Sequence, residues 1–473
     1  MLRNNEQYKR IINFLSALII IFVFLNFFSH VWHNYYNEEM LDPFWYNGNI
    51  LMVGIYTVIY SLCTRAFNGF KLGYSKWLGL FGSQVLGIIG ANAVEFILIS
   101  LIGRGRLNAL PIVLLSLVQM AVALVWSFAF TLLYNKIYPP RKMIIVYGNR
   151  NAKYLVNKMS NRNDKYNICE SISCEEDLEE IESRILKYEA VIISDIPNDL
   201  RNRLLKFTFE NSIRTYINPK LSDIIVRGAD DFHLFDTPLL LARNDGLKWE
   251  QRIFKRFLDV VMSALLLILT SPFFLVTAIA IKAYDGGPVF YSQKRLTIGG
   301  KVFKVHKFRS MIVNAEKNGK AQLASKNDDR ITPVGKIIRK VRLDELPQLI
   351  NIFMGDMSFV GPRPERPELA AKYEKTMPEF KYRLKVKAGL TGYAQVMGKY
   401  NTTPYDKLKM DLMYIEHQSF WEDLKIIIDT IKICFVPDAT EGVNGTGPIE
   451  THRERIGDEE PQTAQKKSDK IKV

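Results

Sequence analysis

The sequence predicts a chain in three parts: a membrane α-helical bundle, a small α/β domain with a parallel sheet, and a basic α/β domain tied to the membrane by a broken helix. Three observations predict this. Four long apolar stretches fill residues 1–142, and short apolar runs alternate with helical stretches over 143–242. A fifth apolar stretch, about 257–281, is interrupted by proline and opens the block 243–440, which carries 33 Lys/Arg against 21 Asp/Glu. A chain of 473 residues exceeds one ordinary core. The remaining 441–473 is rich in Glu, Lys, Gly and Thr, has too little apolar content to fold, and is expected to be disordered.

The first apolar stretch, residues 11–28, is long enough to cross a bilayer, lacks a small-residue cleavage site and is followed by further spans, so it reads as a membrane helix. The others lie at about 44–63, Trp77–Ile102 and Leu110–Ile137. Arg3, Lys9 and Arg10 precede the first span; Arg65, Lys71 and Lys76 separate the second from the third; Lys136, Arg141 and Lys142 follow the fourth. The loop after the first span offers only Glu38, Glu39 and Asp42, which places both ends of the bundle inside. Arg104 and Arg106 in the third loop weaken this rule without reversing it. Glu95, within the third span, is expected to pair with a neighbouring helix and has no catalytic role assigned.

At Met143 the pattern changes. Residues 143–148 read as a buried strand, 149–153 as a polar loop, and 190–193 and 215–217 as further strands, an alternation that resembles a Rossmann-like fold. The dinucleotide fingerprint is missing, because Tyr147-Gly148-Asn149-Arg150-Asn151 has one glycine where three are needed, so a structural or regulatory role is expected. Cys63, Cys169, Cys174 and Cys434 form neither a Cys-x-x-Cys pair nor a zinc set with the six histidines, which suits reduced thiols on the cytoplasmic side.

The stretch 257–281 carries Ser271-Pro272 near its middle, where a kink is expected. Basic residues flank it on both sides: Lys248, Arg252, Lys255 and Arg256 before, Lys282, Lys294 and Arg295 after. A spanning helix would put one cluster outside; a helix-break-helix that dips into the inner leaflet and returns satisfies both. A fifth span with a proline kink is the alternative.

Further on, the sequence sets Asp344 and Glu345 between Arg339, Lys340 and Arg342 on one side and Pro362-Arg363-Pro364 on the other. With Pro347 three residues on, the spacing predicts a helix with Asp344 near its N-cap and Pro347 in its first turn. A carboxylate pair there, among arginines, suits a divalent cation, phosphate binding or attack on phosphorus; a capped helix with surface ion pairs is the plainer reading. Upstream, Val302, Phe303 and Val305 alternate with Lys301, Lys304 and Lys307, as in a basic strand or an amphipathic membrane-surface segment.

Taken with Lys255-Arg256-Phe257-Leu258-Asp259, the LDELPQL and GDMSFVGPRP motifs and Gly389-Leu390-Thr391-Gly392, the block at about 250–437 resembles the monotopic bacterial polyprenyl-phosphate sugar-1-phosphate transferases (phosphoglycosyl transferases). The four spans and the Rossmann-like domain resemble the larger members, which begin exopolysaccharide, capsule or O-antigen units. The resemblance implies an α/β monotopic catalytic domain with a reentrant membrane helix, on the cytoplasmic face of the bacterial inner membrane. It implies transfer of a sugar-1-phosphate from a UDP-sugar to undecaprenyl phosphate with release of UMP. Asp344 is then the nucleophile that forms an aspartyl phosphosugar, and Glu345 the ligand of Mg²⁺. Arg339 and Arg363 are assigned to phosphate or nucleotide, with Lys307 and Arg309 as further candidates for the same anion site. Asp411 and Asp423 match the family's C-terminal acidic positions and are assigned to support of the site, with helix capping the alternative for Asp423. Glucose and galactose are the commoner sugars of larger members, and a homodimer is compatible with the resemblance.

Two other readings compete with this one. A metal-dependent glycosyltransferase using Asp328-Asp329 would release UDP, but that doublet reads as turn chemistry in a polar loop. A non-enzymatic membrane scaffold with a metabolite-sensing domain leaves the acid pair and the Pro-Arg-Pro turn without work. Nucleic acid is not an expected partner, because a membrane segment interrupts the basic block and no recognition motif accompanies it.

Overall fold

Four helices coincide with the four apolar stretches: α1 (Lys9–Val31, running on through a π-helical turn Trp32–Tyr36), α2 (Tyr46–Ala66), α3 (Trp77–Ile102) and α4 (Leu110–Ile137). The structure is a computed structural model that describes residues 8–103, 107–148, 155–157, 159, 162–243, 246–313, 315, 328–398 and 402–435. Arg3, Arg104, Arg106, the loop 149–153 and the tail 441–473 lie outside the described residues. Ser16, Ile20, Phe24 and Phe28 recur every fourth position on α1 and turn inward, while Phe14, Leu18 and Phe22 face out. Phe28 stacks on Tyr56 at 4.1 Å between centroids. An apolar exterior on helices of this length requires a membrane, and the protein is a membrane protein.

The bundle interior holds a polar seam. Tyr60 donates to Gln84 at 2.6 Å, Gln119 to Tyr56 at 2.6 Å, and Asn92 to Gln119 at 2.9 Å and Ser116 at 2.7 Å. Glu95 is fully buried one turn beyond Asn92, and neither of its carboxylate oxygens has a hydrogen-bond partner among the described residues. The expected pairing with a neighbouring helix is therefore not made: the amide donors of Asn92 and Gln119 are engaged with each other, Ser116 and Tyr56.

Beyond α4, β1 (Arg141–Tyr147), β2 (Tyr166–Ser173), β3 (Ala190–Ser194) and β4 (Arg214–Ile217) form a parallel sheet in the order β2-β1-β3-β4. Helices α5 (Leu178–Ile185) and α6 (Asn198–Glu210) supply Ile181, Ile185 and Leu204 to one face, against Ile144, Val146, Val191 and Ile193. Met143, Ile145, Ala190 and Ile192 pack on the other face with Leu155, Val156 and Met159, so the central strands are covered on both sides as parallel strands must be. At the end of β1, Gly148 meets the chain after β3 so closely that a Cβ would lie 2.0 Å from the Asp195 carbonyl oxygen, which only glycine permits. After α7 (Leu221–Arg227), a hairpin of β5 (Asp230–Leu234) and β6 (Thr237–Leu241) is exposed throughout.

The fifth apolar stretch lies in α8 (Trp249–Asp285), a 37-residue helix that continues through Pro272. The break expected at Ser271-Pro272 does not interrupt it, and the reason is local. Proline removes the N–H that would bond the Ile268 carbonyl, and the Ser271 hydroxyl takes that carbonyl instead, at 2.8 Å. At one end Arg256 donates to the carbonyls of Ile352 and Phe353, both at 2.7 Å, and Asp259 accepts from Ser358 Oγ at 3.2 Å and Phe359 N at 3.1 Å. At the other, Phe274 packs on Phe308, Ile281 joins Phe308 and Ile338, and Arg309 holds Asp285 at 2.6 Å. Both halves of α8 thus rest on the same α/β unit, while Phe257, Val261, Leu265, Ile268, Phe273, Val276 and Ile279 stay exposed.

That unit is built on an antiparallel hairpin, β7 (Phe290–Leu296) with β8 (Val302–Phe308), turning through Gly299 and Gly300 at φ 66° and 77°. The alternation in 302–308 is therefore that of a strand, with Phe303 and Val305 buried and Val302 and Lys304 exposed. Helices α9 (Pro333–Lys340) and α10 (Gln348–Met354) follow, then β9 (Ser358–Val360), α11 (Pro367–Thr376), β10 (Gly389–Thr391) parallel to β9, α12 (Tyr393–Met397), α13 (Pro404–Glu416) and α14 (Phe420–Phe435). Lys432 of α14 reaches the Phe67 carbonyl after α2 at 3.2 Å, and Lys409 of α13 reaches Asn218 after β4 at 2.8 Å.

Candidate active site around Asp344 and Glu345

The acid pair sits between two short helices. Thr332 caps α9 by accepting from Gly335 N at 2.9 Å, and the helix ends where Arg342 adopts a left-handed φ of 57°. A single 3₁₀ turn, Leu343–Glu345, then carries both carboxylates, and Pro347 stands at the N-cap of α10. This corrects the expected N-cap role of Asp344: left-handed Arg342 and Pro347, five positions later, leave room for a tight turn and start the helix only at Gln348.

Glu345 is held by two cations. Lys307 Nζ lies 2.8 Å and Arg363 Nη2 3.0 Å from the same oxygen, Oε1, leaving Oε2 outside that pair of contacts. Burial pushes the Glu345 carboxyl up, but Arg363 and Lys307 together carry it well below the usual range. Asp344 behaves oppositely. Burial, then the charge of Glu345, holds its carboxyl above the ordinary value, against the pull of Lys307 and Arg339. Two adjacent carboxylates in one turn thus have environments that drive them apart, the arrangement by which sites divide roles between acids.

The supports of this cluster are specific. Asn351 on α10 donates to the Lys304 carbonyl at 2.8 Å and accepts from His306 N at 3.0 Å, which fixes α10 against β8 and so Glu345 against Lys307. The Pro-Arg-Pro turn is pinned carbonyl by carbonyl. Pro362 O accepts from Gly389 N at 2.9 Å, Arg363 O from Arg383 at 2.9 Å, Pro364 O from Arg295 at 3.1 Å and Glu365 O from Leu296 N at 3.0 Å. Gly361, which precedes this turn, and Gly392, which packs on the Gly361 carbonyl, are required by contact. A Cβ on Gly361 would lie 2.3 Å from Lys387 O, and one on Gly392 would lie 2.1 Å from Gly361 O.

The remaining candidates divide. Lys307, Arg363 and Arg339 surround the acid pair, Arg339 through its charge on Asp344. Arg309 does not join them; it is turned to Asp285 and to the Pro288 carbonyl at 2.7 Å, where it fastens the far end of α8. Asp411 is buried and ion-paired with Arg383 at 2.8 Å, so it acts on Arg363 one residue removed. Asp423 does not cap its helix, since Ser419 Oγ accepts from Glu422 N; it binds Lys255 and the Tyr414 hydroxyl, the latter at 2.7 Å. Arg383, Arg295 and Asn351 were missed as positioning residues. Arg295 stood in a basic run, but nothing in the sequence distinguishes a buried arginine such as Arg383 from a surface one. Asp328 is taken by Arg330 at 2.6 Å and 2.8 Å within its own turn.

No group of three or more His, Cys, Asp or Glu side chains capable of holding a metal exists among the described residues. A caged metal centre does not fit this donor set. A Mg²⁺ ion held by one or two carboxylates and completed by substrate phosphates does fit, and Glu345 Oε2 beside Asp344 is a suitable donor.

A small α/β unit bearing a cation-clamped acid pair and resting on a long apolar helix defines a membrane-associated unit with a cluster of acidic and basic side chains suited to binding anions. The sequence profile described as "Bacterial sugar transferase" matches residues 250–437, and the chain belongs to that family. It is 41% identical over 189 residues to a UDP-glucose:undecaprenyl-phosphate glucose-1-phosphate transferase of Caulobacter vibrioides, covering 39% of this chain and 70% of that protein. It is 43% identical over 216 residues to an enzyme of the same name from Klebsiella pneumoniae, covering 45% of this chain and 44% of the relative. It is also 41% identical over 181 residues to a UDP-N-acetylgalactosamine-undecaprenyl-phosphate N-acetylgalactosaminephosphotransferase of Aeromonas hydrophila, covering 38% and 43%. The match thus spans less than half the length of the last two relatives.

Proposed function

We propose that this chain transfers a sugar-1-phosphate from a UDP-sugar to undecaprenyl phosphate, releases UMP, and does so through a covalent aspartyl phosphosugar on Asp344. The observation that carries this reading is the geometry of two adjacent carboxylates in one turn: Lys307 and Arg363 both bind Glu345 Oε1, and among the described residues no Lys or Arg side chain hydrogen-bonds Asp344. An Asp344 oxygen attacks the sugar-bearing phosphorus and the bond to UMP breaks. An oxygen of the lipid phosphate then attacks the same phosphorus and displaces the carboxylate. One encounter between two polyanions becomes two separate displacements. Arg363, its backbone fixed by Arg383, and Arg339 neutralise the phosphates. Bound at Glu345, Mg²⁺ supplies charge neutralisation at the diphosphate.

The membrane geometry supports the same reading. With both halves of α8 resting on one unit and basic residues at both flanks, we take the helix as reentrant and the unit as monotopic, on the cytoplasmic face of the inner membrane. A UDP-sugar arrives there from the cytosol and a polyprenyl phosphate from the leaflet. The working division is a bundle over 1–142, a Rossmann-like domain without a dinucleotide site over 143–242 and the catalytic domain over 243–440. The exposed apolar side chains Phe232, Leu234, Phe235 and Leu240 of the β5–β6 hairpin suit a homodimer. The names of the relatives make UDP-glucose and UDP-N-acetylgalactosamine the first sugars to try.

Incubation of the purified chain with undecaprenyl phosphate, Mg²⁺ and a panel of UDP-sugars tests this. UMP is the expected nucleotide product; UDP would identify a glycosyltransferase instead, and neither would leave the scaffold reading.

A further inference from the structure

The face of the β7–β8 hairpin turned away from the acid pair carries a second feature. Lys294 and Lys304 are direct cross-strand partners, and with Lys301, His306, Met354 and Asp356 they line a concavity of about 420 Å³. Like charges opposite one another destabilise a ladder unless an anion joins them. Among the described residues the three lysines have no ion-pair partner, and Asp356 is the single acidic side chain lining the concavity. Register separates this face from the active site: Lys304 and His306 point one way along β8, whereas Phe303, Val305 and the Glu345-bound Lys307 alternate with them.

The concavity also has a defined depth. Met354 ends α10, whose last carbonyls are held by Arg256, the last basic residue of α8 before Lys282, and the exposed apolar side chains Phe257, Val261, Leu265 and Ile268 follow it. The lysines therefore sit where α8 passes from charged to apolar. Exposed Ile298, Val302, Phe353 and Met354 lie around them, giving a cationic centre with an apolar rim.

We propose that this concavity binds the headgroup of an anionic phospholipid of the surrounding leaflet, its phosphate between Lys294 and Lys304 and its acyl chains against the apolar rim. It rests on α8 lying in the membrane and not on the sugar-phosphate chemistry. The lipid seats the β7–β8 hairpin, and with it β8 and Lys307, at a fixed height on the membrane.

The test uses full-length protein in nanodiscs of phosphatidylcholine with phosphatidylglycerol, with retained lipid counted by native mass spectrometry. Wild-type protein is expected to retain phosphatidylglycerol in preference to phosphatidylcholine. K294Q/K304Q should lose about thirtyfold in that preference, from two interfacial charges at about 1 kcal/mol each. K375Q/K381Q, which removes the same charge from another surface, should retain it. K294Q alone serves if the double variant does not fold, with an intermediate loss expected. UMP release in detergent by K294Q/K304Q should match wild type, so the result is separate from the catalytic reading. Equal retention by K294Q/K304Q and wild type, or equal loss by the control, would overturn the proposal. Displacement of the lipid by UMP or inorganic phosphate would also overturn it, in favour of a soluble-phosphate site.

Discussion

Lys307 Nζ stands 2.8 Å from Glu345 Oε1, joining the open end of the β7–β8 hairpin to the turn that carries both acids. Lys307→Gln leaves Arg363 as the one remaining clamp on Glu345. Loss of one preorganised donor in such a site lowers turnover by about 10²- to 10³-fold. UMP release measured against UDP-sugar concentration should show that fall mainly in kcat, with Lys307→Arg recovering part of it.

The buried pair Asp411–Arg383 holds the Arg363 carbonyl, so its loss should be felt in both stability and activity. Arg383→Met strands a buried carboxylate and should destabilise the protein by about 3–5 kcal/mol. Burial holds the Asp411 carboxyl above its ordinary 3.8, with Arg383 opposing. The unfolded chain therefore ionises first, and the folded state loses stability as pH rises from the ordinary value toward the raised one. Asp411→Asn keeps an acceptor for Arg383 and lacks that slope. Thermal unfolding in detergent from about pH 4 upward should show the wild-type curve falling relative to that of the variant.

The membrane course of α8 is open to direct labelling. In a background without native cysteines, Lys248→Cys and Tyr284→Cys should react with an impermeant maleimide from the same side of the membrane. Reaction from opposite sides would establish a spanning helix and remove the reentrant reading.

Glu95 is buried in α3 with both oxygens unpartnered among the described residues. An ionisable group in that position is a burden on the bundle unless it is used. Glu95→Gln should raise the thermal midpoint and leave UMP release unchanged; loss of turnover would show that the bundle takes part in the reaction.

What the sequence made legible follows from the physics of each element. The third and fourth membrane helices were readable to their ends because hydropathy decides them, at Trp77–Ile102 and Leu110–Ile137, whereas α1 and α2 run past the apolar stretches at 11–28 and 44–63 to Val31 and Ala66. β2 was not read, because Tyr166–Ser173 is an edge strand of half-buried side chains and has no continuous apolar run. The acid pair was found by composition, but its local form was not: one left-handed residue, Arg342, turned an expected helix start into a 3₁₀ turn. Arg309 was grouped with Lys307 by proximity along the chain, yet strand β8 ends between them and Arg309 turns to Asp285. Arg383 and Asn351 act through backbone carbonyls and amides that are distant in sequence, a relationship with no local signature.

The most direct test of the two-step account is intact and peptide mass spectrometry of purified protein exposed to UDP-sugar and Mg²⁺ before any lipid is added. A sugar-phosphate adduct on the peptide carrying Asp344, absent from Asp344→Asn and discharged on addition of undecaprenyl phosphate, is the predicted result. Protein that stays unmodified, with UMP released only when both substrates are present, would contradict it.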